Sequence, residues 1–188
     1  NYTKVVAIER LQGKRWRLVL EDQAAPGATA HVEAEALVNT AGPWADRVTA
    51  QAVPQPKQRL VGIKGVNVMV KLPDSCRGLG METISSIGQP FYCMPWGDYH
   101  FFGPTETVFE EDPDGVRVLP AEVDFILGEA NRVFPSLKLT KADVVYSWCG
   151  VRPRTASTGD EGVKALTIHD MAEEGLPNAL PLTGTPIM

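Results

Sequence analysis

The chain has 188 residues, 44% of them hydrophobic and 22% charged, with 18 Lys and Arg against 23 Asp and Glu, for a formal net charge of -5. That content can bury a sizeable core and excludes a disordered tail. The acidic balance excludes a general nucleic-acid binder, whose affinity rests on clustered cations, and no apolar run reaches the ~18–20 residues that span a bilayer.

Lys4–Arg10 and Arg15–Glu21 flank a short Gln-Gly turn. In the second run Trp16, Leu18 and Leu20 alternate with Arg15, Arg17 and Val19, the period of a half-buried strand, so the pair is expected as a β-hairpin. A third extended stretch is expected from Ala30 to Asn39. Its apolar end (Ala36, Leu37, Val38) runs into Thr40, Ala41 and Gly42, and Pro43 then stands where a first helical turn tolerates proline. Strand, glycine turn and helix start are the parts of a nucleotide-contacting βα junction.

Arg59–Lys71 is a long β-branched run interrupted by Gly62 and Gly65, where interior glycines signal a bulge or a closely approaching group. Gln89–Trp96 and Tyr99–Gly103 read as a second hairpin around Gly97-Asp98. The acidic loop Glu110–Asp114 reads as a solvated face. Pro120–Phe134 carries Val123, Ile126, Leu127, Ala130, Val133 and Phe134 at helical spacing, with Pro120 opening it and Pro135 closing it. Strands are expected at Asp143–Cys149 and Val163–His169. The fold class is α+β, a mostly antiparallel mixed sheet with one long helix.

Cys76, Cys93 and Cys149 lie far apart and are odd in number, which suits a reducing cytosol rather than a disulfide framework. His31, His100 and His169 are equally scattered, so no metal site is expected. Cys149 has no partner base nearby in sequence and reads as a buried apolar cysteine. The chain opens inside a strand and stops just after an apolar segment, so a portion of a longer protein is expected.

Three segments go further. Val38-Asn-Thr-Ala-Gly-Pro-Trp-Ala-Asp46 resembles the V-N-A-A-G-x-W-[AS] junction of flavoproteins in the D-amino-acid oxidase superfamily. Arg59-Leu-Val-Gly-Ile-Lys-Gly-Val-Asn67 is similar to the lysine-glycine strand of FAD-dependent glycerol-3-phosphate dehydrogenases, and Asp143–Pro153 is similar to the segment of those enzymes ending S-G-V-R-P. Phe102-Gly-Pro-Thr-Glu106 resembles their I-G-T-T-D turn. The matches follow the family's order from Lys4 to about His169.

The resemblance implies a FAD-dependent oxidoreductase that transfers a hydride from a substrate C–H to flavin N5. It implies the end of a FAD-binding domain over 1–50, a substrate domain over 51–155, and a return towards the FAD domain over 156–188. Cofactor contacts are expected at Ala41, Gly42, Pro43, Trp44 and Gly150. A small anionic substrate is expected at Arg152, Arg154, Lys64, Asn67 and Thr105, with Arg152 presenting a forked donor. Asn67 stands where the family carries histidine, and asparagine accepts no proton near neutral pH. No catalytic base is therefore assigned, and His100 and His169 are the candidates to replace it. The chain holds no G-x-G-x-x-G, and Leu182–Met188 departs from the family's C-terminal glycine-glycine-lysine segment, so the chain alone is expected to bind FAD poorly. An amino-acid or sarcosine-type oxidase, or a non-catalytic ligand-binding module of the same fold, is the alternative. The expected location is cytoplasmic, extended by the resemblance to the inner face of a membrane.

Overall fold

Alternating apolar side chains give the first hairpin one dry side, and that side meets a core. The computed structural model describes residues 1–53, 55–157 and 162–184. In chain order the elements are β1 (Thr3–Arg10), β2 (Trp16–Asp22), β3 (Thr29–Ala34), β4 (Leu37–Asn39), α1 (Ala45–Thr49), β5 (Leu60–Val70), β6 (Met81–Ile84) and β7 (Pro90–Trp96). There follow β8 (Tyr99–Gly103), β9 (Thr107–Val108), α2 (Pro120–Val133), β10 (Val144–Thr155), β11 (Thr167–Ile168) and β12 (Ala179–Thr183). The chain divides into two compact units, Asn1–Val61 with the described residues from Pro153 onward, and Gly62–Arg152. Of the segment 156–188, residues 158–161 and 185–188 lie outside the described residues, including the last four of Leu182–Met188.

The first unit holds the antiparallel sheet β1-β2-β3 and a second sheet, β11-β12-β4, in which β12 runs parallel to β4. Its core gathers Ile8, Trp16, Met171, Leu176 and Ala179. The buried Trp16 indole donates to the Pro177 carbonyl at 3.2 Å, so its N–H is not left unpaired. The stretch expected to run unbroken from Ala30 to Asn39 is two strands in two sheets. At the break Asn178 takes over the backbone, donating to the Glu35 carbonyl at 3.1 Å and accepting from Leu37 N–H at 2.9 Å. The strand expected over Val163–His169 contracts to β11, preceded by a single bridge between Val163 and Thr155.

In the second unit β10, β5, β8, β7 and β6 lie side by side, and β9 also pairs with β5. Registers Val68↔Phe102 and Cys93↔Phe102 place Val66, Val68, Val70, Phe91, Cys93 and Phe102 on one face. That face packs on Ile126, Leu127 and Ala130 of α2. Pro120 opens the helix with a fixed φ, and the Glu122 carboxylate accepts the Leu119 N–H at 2.8 Å, which occupies an otherwise orphaned donor. By the same alternation Gly65, Asn67, Met69, Tyr92, Phe101 and Gly103 belong to the opposite face. Trp148 joins them there, edge-on to Phe101 with ring centroids 5.5 Å apart. Among the described residues no helix is long and apolar enough to cross a membrane.

Candidate functional site

Arg152 stands on β10, on the face of the second unit's sheet away from α2. Its Nη2 donates to the Thr105 carbonyl at 2.9 Å, and its Nη1 lies 3.3 Å from Glu106 Oε1. Both side chains of the ion pair are largely buried, at 21% and 10% exposure. Gly65 on the neighbouring strand makes room for the guanidinium. A Cβ at that position would sit 2.7 Å from Nη2 and 3.1 Å from Cζ. Thr105 is itself held to β5, its hydroxyl accepting Val66 N–H at 3.0 Å and its own N–H donating to the Val66 carbonyl at 3.1 Å. The guanidinium is thus fixed before any ligand arrives, which spares a binding anion the entropy of ordering it.

The cluster around it is polar and rich in acid. Tyr92 faces Glu82, Glu106 and Arg152. Burial first, then the two carboxylates, push its phenol above the ordinary value, against an opposing pull from Arg152. Gln89 donates to the Glu106 carbonyl at 3.3 Å, tying the acidic turn down. Asn67 lies half-buried on this same face, its amide crowding the place where a Gly103 side chain would go. Gly150, two residues before Arg152, is exposed, and a Cβ there would meet nothing within 4 Å.

In the first unit, buried Asn39 builds the turn that follows β4. Its amide donates to the Ala45 carbonyl at 2.8 Å and the Thr49 hydroxyl at 3.1 Å, while its carbonyl oxygen accepts Ala41 N–H at 3.1 Å. One side chain therefore pins the strand end, the turn and α1 together. Gly42 has φ +59, a left-handed conformation that glycine adopts without strain, and a Cβ on it would meet nothing within 4 Å. Trp44 follows with 38% of its surface exposed. Ala41, Gly42, Pro43 and Trp44 thus form an open, small-residue rim with one exposed aromatic, a shape that suits the edge of a flat cofactor ring. The sequence holds no G-x-G-x-x-G turn of the kind that cradles a pyrophosphate.

Other candidates lie elsewhere. Lys64 is on the α2 side of the sheet, 5% exposed and paired with Glu122 at 2.7 Å, so it does not share the Arg152 face. Arg154 belongs to the first unit and is 4% exposed. His100 sits on the α2 side as well, its Nε2 3.2 Å from the Leu79 carbonyl, which separates it from Arg152 by the thickness of the sheet. His169, in the first unit, shares a hydrogen bond of 2.7 Å with the Thr183 hydroxyl. Burial, and then the Arg59 charge, hold its pKa below the ordinary histidine value. Cys149 packs against the second core, and burial pushes its thiol upward, away from thiolate chemistry.

Three residues of these clusters escape a reading from spacing. Asn39 carries a weak signal, an asparagine at the end of an apolar run before small residues, the usual place of a side chain that caps a turn. Glu106 stands at the end of the turn that resembles I-G-T-T-D, but nothing local pairs it with Arg152 or Glu122 with Lys64, because those partners are 46 and 58 positions away in sequence.

The family model of FAD dependent oxidoreductases (DAO) matches residues 1–177. The glycerol-3-phosphate dehydrogenase of Synechocystis sp. is 25% identical over 198 residues, covering 98% of this chain and 36% of its own length. Glycerol-3-phosphate dehydrogenase 2 of Mycobacterium tuberculosis is 30% identical over 172 residues, covering 90% of this chain and 28% of its own. Among solved structures, the glycerol-3-phosphate dehydrogenase from Bacillus halodurans complexed with FAD is similar at TM-score 0.77 and 26% identity, over 96% of this chain and 34% of that one. The chain therefore spans about a third of the length of these relatives.

Proposed function

This chain belongs to the DAO family of FAD-dependent oxidoreductases, and we propose that its parent protein oxidises a small anionic alcohol of the glycerol 3-phosphate class. When bound, FAD supplies the acceptor for the hydride leaving the substrate carbon. The protein's own residues bind and orient. Arg152, held by Thr105 and Glu106, takes the anionic group through charge-assisted hydrogen bonds. Asn67, on the same face, offers a hydrogen-bond donor and an acceptor to a substrate hydroxyl but no base. Ala41, Gly42, Pro43 and Trp44 are the residues of the first unit proposed to meet the cofactor ring. Lys64 and Arg154 are assigned to structure in this reading.

The observation that carries the proposal is the pre-fixed guanidinium over Gly65, with Asn67 on the same face. Two of the relatives bear the name glycerol-3-phosphate dehydrogenase and the matched structure holds FAD, which supports the substrate class. The test is anaerobic. The protein as its gene encodes it is purified, and its flavin spectrum is followed as glycerol 3-phosphate, and separately proline and sarcosine, are added. Bleaching by glycerol 3-phosphate is expected. A colourless protein that takes up no FAD, or bleaching by amino acids alone, overturns the proposal.

A further inference from the structure

Tyr92 shares the sheet face of Arg152 and Asn67. It stands on β7 directly between Glu82 of β6 on one side and Gly103 of β8 on the other. The register Val68↔Phe102 continues that row to Asn67 of β5. A Cβ on Gly103 would lie 2.5 Å from Asn67 Oδ1, so the amide leans over β8 into the space that the glycine leaves. Tyr92 and Asn67 thus flank one glycine from strands that are two apart, about 9–10 Å between backbones. The Arg152 guanidinium lies against Gly65, two residues along β5 from Asn67, or about 7 Å. Two glycines therefore floor a short trough with a guanidinium at one end, an amide in the middle and a phenol at the far end.

We infer that Tyr92 is a specificity-determining residue that contacts the substrate hydroxyl farthest from the anionic group, so that the protein selects an anionic diol over its deoxy analogue. The inference rests on the proposed role of Arg152 as substrate anchor and deepens it. With the anion on Arg152 and the neighbouring hydroxyl on Asn67, a three-carbon substrate extends its last carbon over Gly103 towards Tyr92. Among the described residues the Tyr92 hydroxyl has no hydrogen-bond partner, so its proton and its lone pairs are open to a ligand. Burial, and then the charges of Glu82 and Glu106, raise its pKa against the pull of Arg152. The phenol therefore stays neutral: it donates and accepts a hydrogen bond and does not act as a base near neutral pH. Glu82, directly across the strand pair, makes this end of the trough unsuited to a second anionic group, and a neutral hydroxyl is what fits it. Phenylalanine at this position would fill the same space and give up only the hydroxyl contact.

The experiment uses the full-length flavoprotein and pairs of ligands that differ by that one hydroxyl. The ratio kcat/KM is measured for glycerol 3-phosphate and for 2-hydroxypropyl phosphate, which keeps the phosphate and the reacting hydroxyl. The corresponding ketones, dihydroxyacetone phosphate and hydroxyacetone phosphate, are titrated calorimetrically as turnover-free probes. The wild type is expected to favour the hydroxylated member of each pair about tenfold, as one well-placed hydrogen bond between neutral groups allows. Tyr92→Phe is expected to reduce that preference to within about twofold by weakening the hydroxylated ligands, while the deoxy ligands keep their wild-type values. An undiminished preference in Tyr92→Phe, equal weakening of both members of a pair, or a wild type that does not distinguish them overturns the inference. Arg152→Ala separates this from the underlying reading. If that variant binds dihydroxyacetone phosphate as tightly as the wild type does, the anchor itself is wrong. If it loses the ligand while Tyr92→Phe keeps the preference, only the role of Tyr92 is wrong.

Discussion

Replacing Gly65 by alanine sets a methyl group against the Arg152 guanidinium. The new Cβ would lie 2.7 Å from Nη2, where ordinary contacts begin at about 3.4 Å, so the guanidinium must retreat by roughly 0.7 Å. The Thr105 carbonyl, 3.3 Å from the same Cβ, must also yield slightly. A retreat of that size breaks the 2.9 Å bond between Nη2 and Thr105. With the fork displaced, the anionic substrate loses a hydrogen bond to a charged group, about 1.5–3 kcal/mol, so its KM is expected to rise about 10–100-fold, with a smaller effect on kcat. Stability is expected to fall by about 1–2 kcal/mol, less than the broken bond alone would cost. The crowded atom is the far end of a flexible side chain, and removing a strand glycine lowers the entropy of the unfolded chain. Steady-state kinetics on the full-length protein, paired with urea unfolding, checks both halves. A KM within twofold of the wild type would show that the position of this guanidinium does not govern substrate binding.

Two further substitutions test the frame that carries the site. Lys64→Ala leaves the Glu122 carboxylate, 14% exposed, without its buried cation, and should cost about 3 kcal/mol in urea unfolding. A loss below about 1 kcal/mol would mean that water reaches the pair. Glu129 on α2 accepts from the Ser86 hydroxyl and, at 2.9 Å, from the Ser86 N–H, and it pairs with Arg132 at 2.8 Å. Burial alone would raise its carboxyl, but the Ser86 and Arg132 hydrogen bonds outweigh burial and hold it below 4.5. The sign follows: its contribution is complete above about pH 4.5 and is lost as pH falls through the depressed folded value. Unfolding midpoints of the wild type and Glu129→Gln should therefore differ at pH 7 and converge as pH falls below 4.5 through the depressed folded value. A gap that is constant with pH refutes this.

Much of the frame was legible from the order of residues. The helix Pro120–Val133 follows from apolar spacing between two prolines, because a helix repeats every 3.6 residues whatever it packs against. The glycines at 62 and 65 announced close approach, and Arg152 now occupies the space beside the second of them. The region Ala30–Asn39 was misleading, since nothing local in it shows that Asn178, far along the chain, takes its backbone at Glu35 and Leu37. Short strands such as β11 depend on the same kind of distant partner.

Local sequence thus settled what is periodic or strained: the two hairpins, the long helix, the open turn at Gly42 and the arginine before Pro153. Which side of the sheet each side chain occupies was decided by tertiary pairing. Lys64 and Gly65 are adjacent in sequence, yet one meets Glu122 beneath the helix and the other lies against Arg152. A strand sends successive side chains to opposite faces, so one residue of register separates a structural ion pair from the proposed anion-binding surface. Register is set by partners dozens of residues away, and no local pattern encodes them.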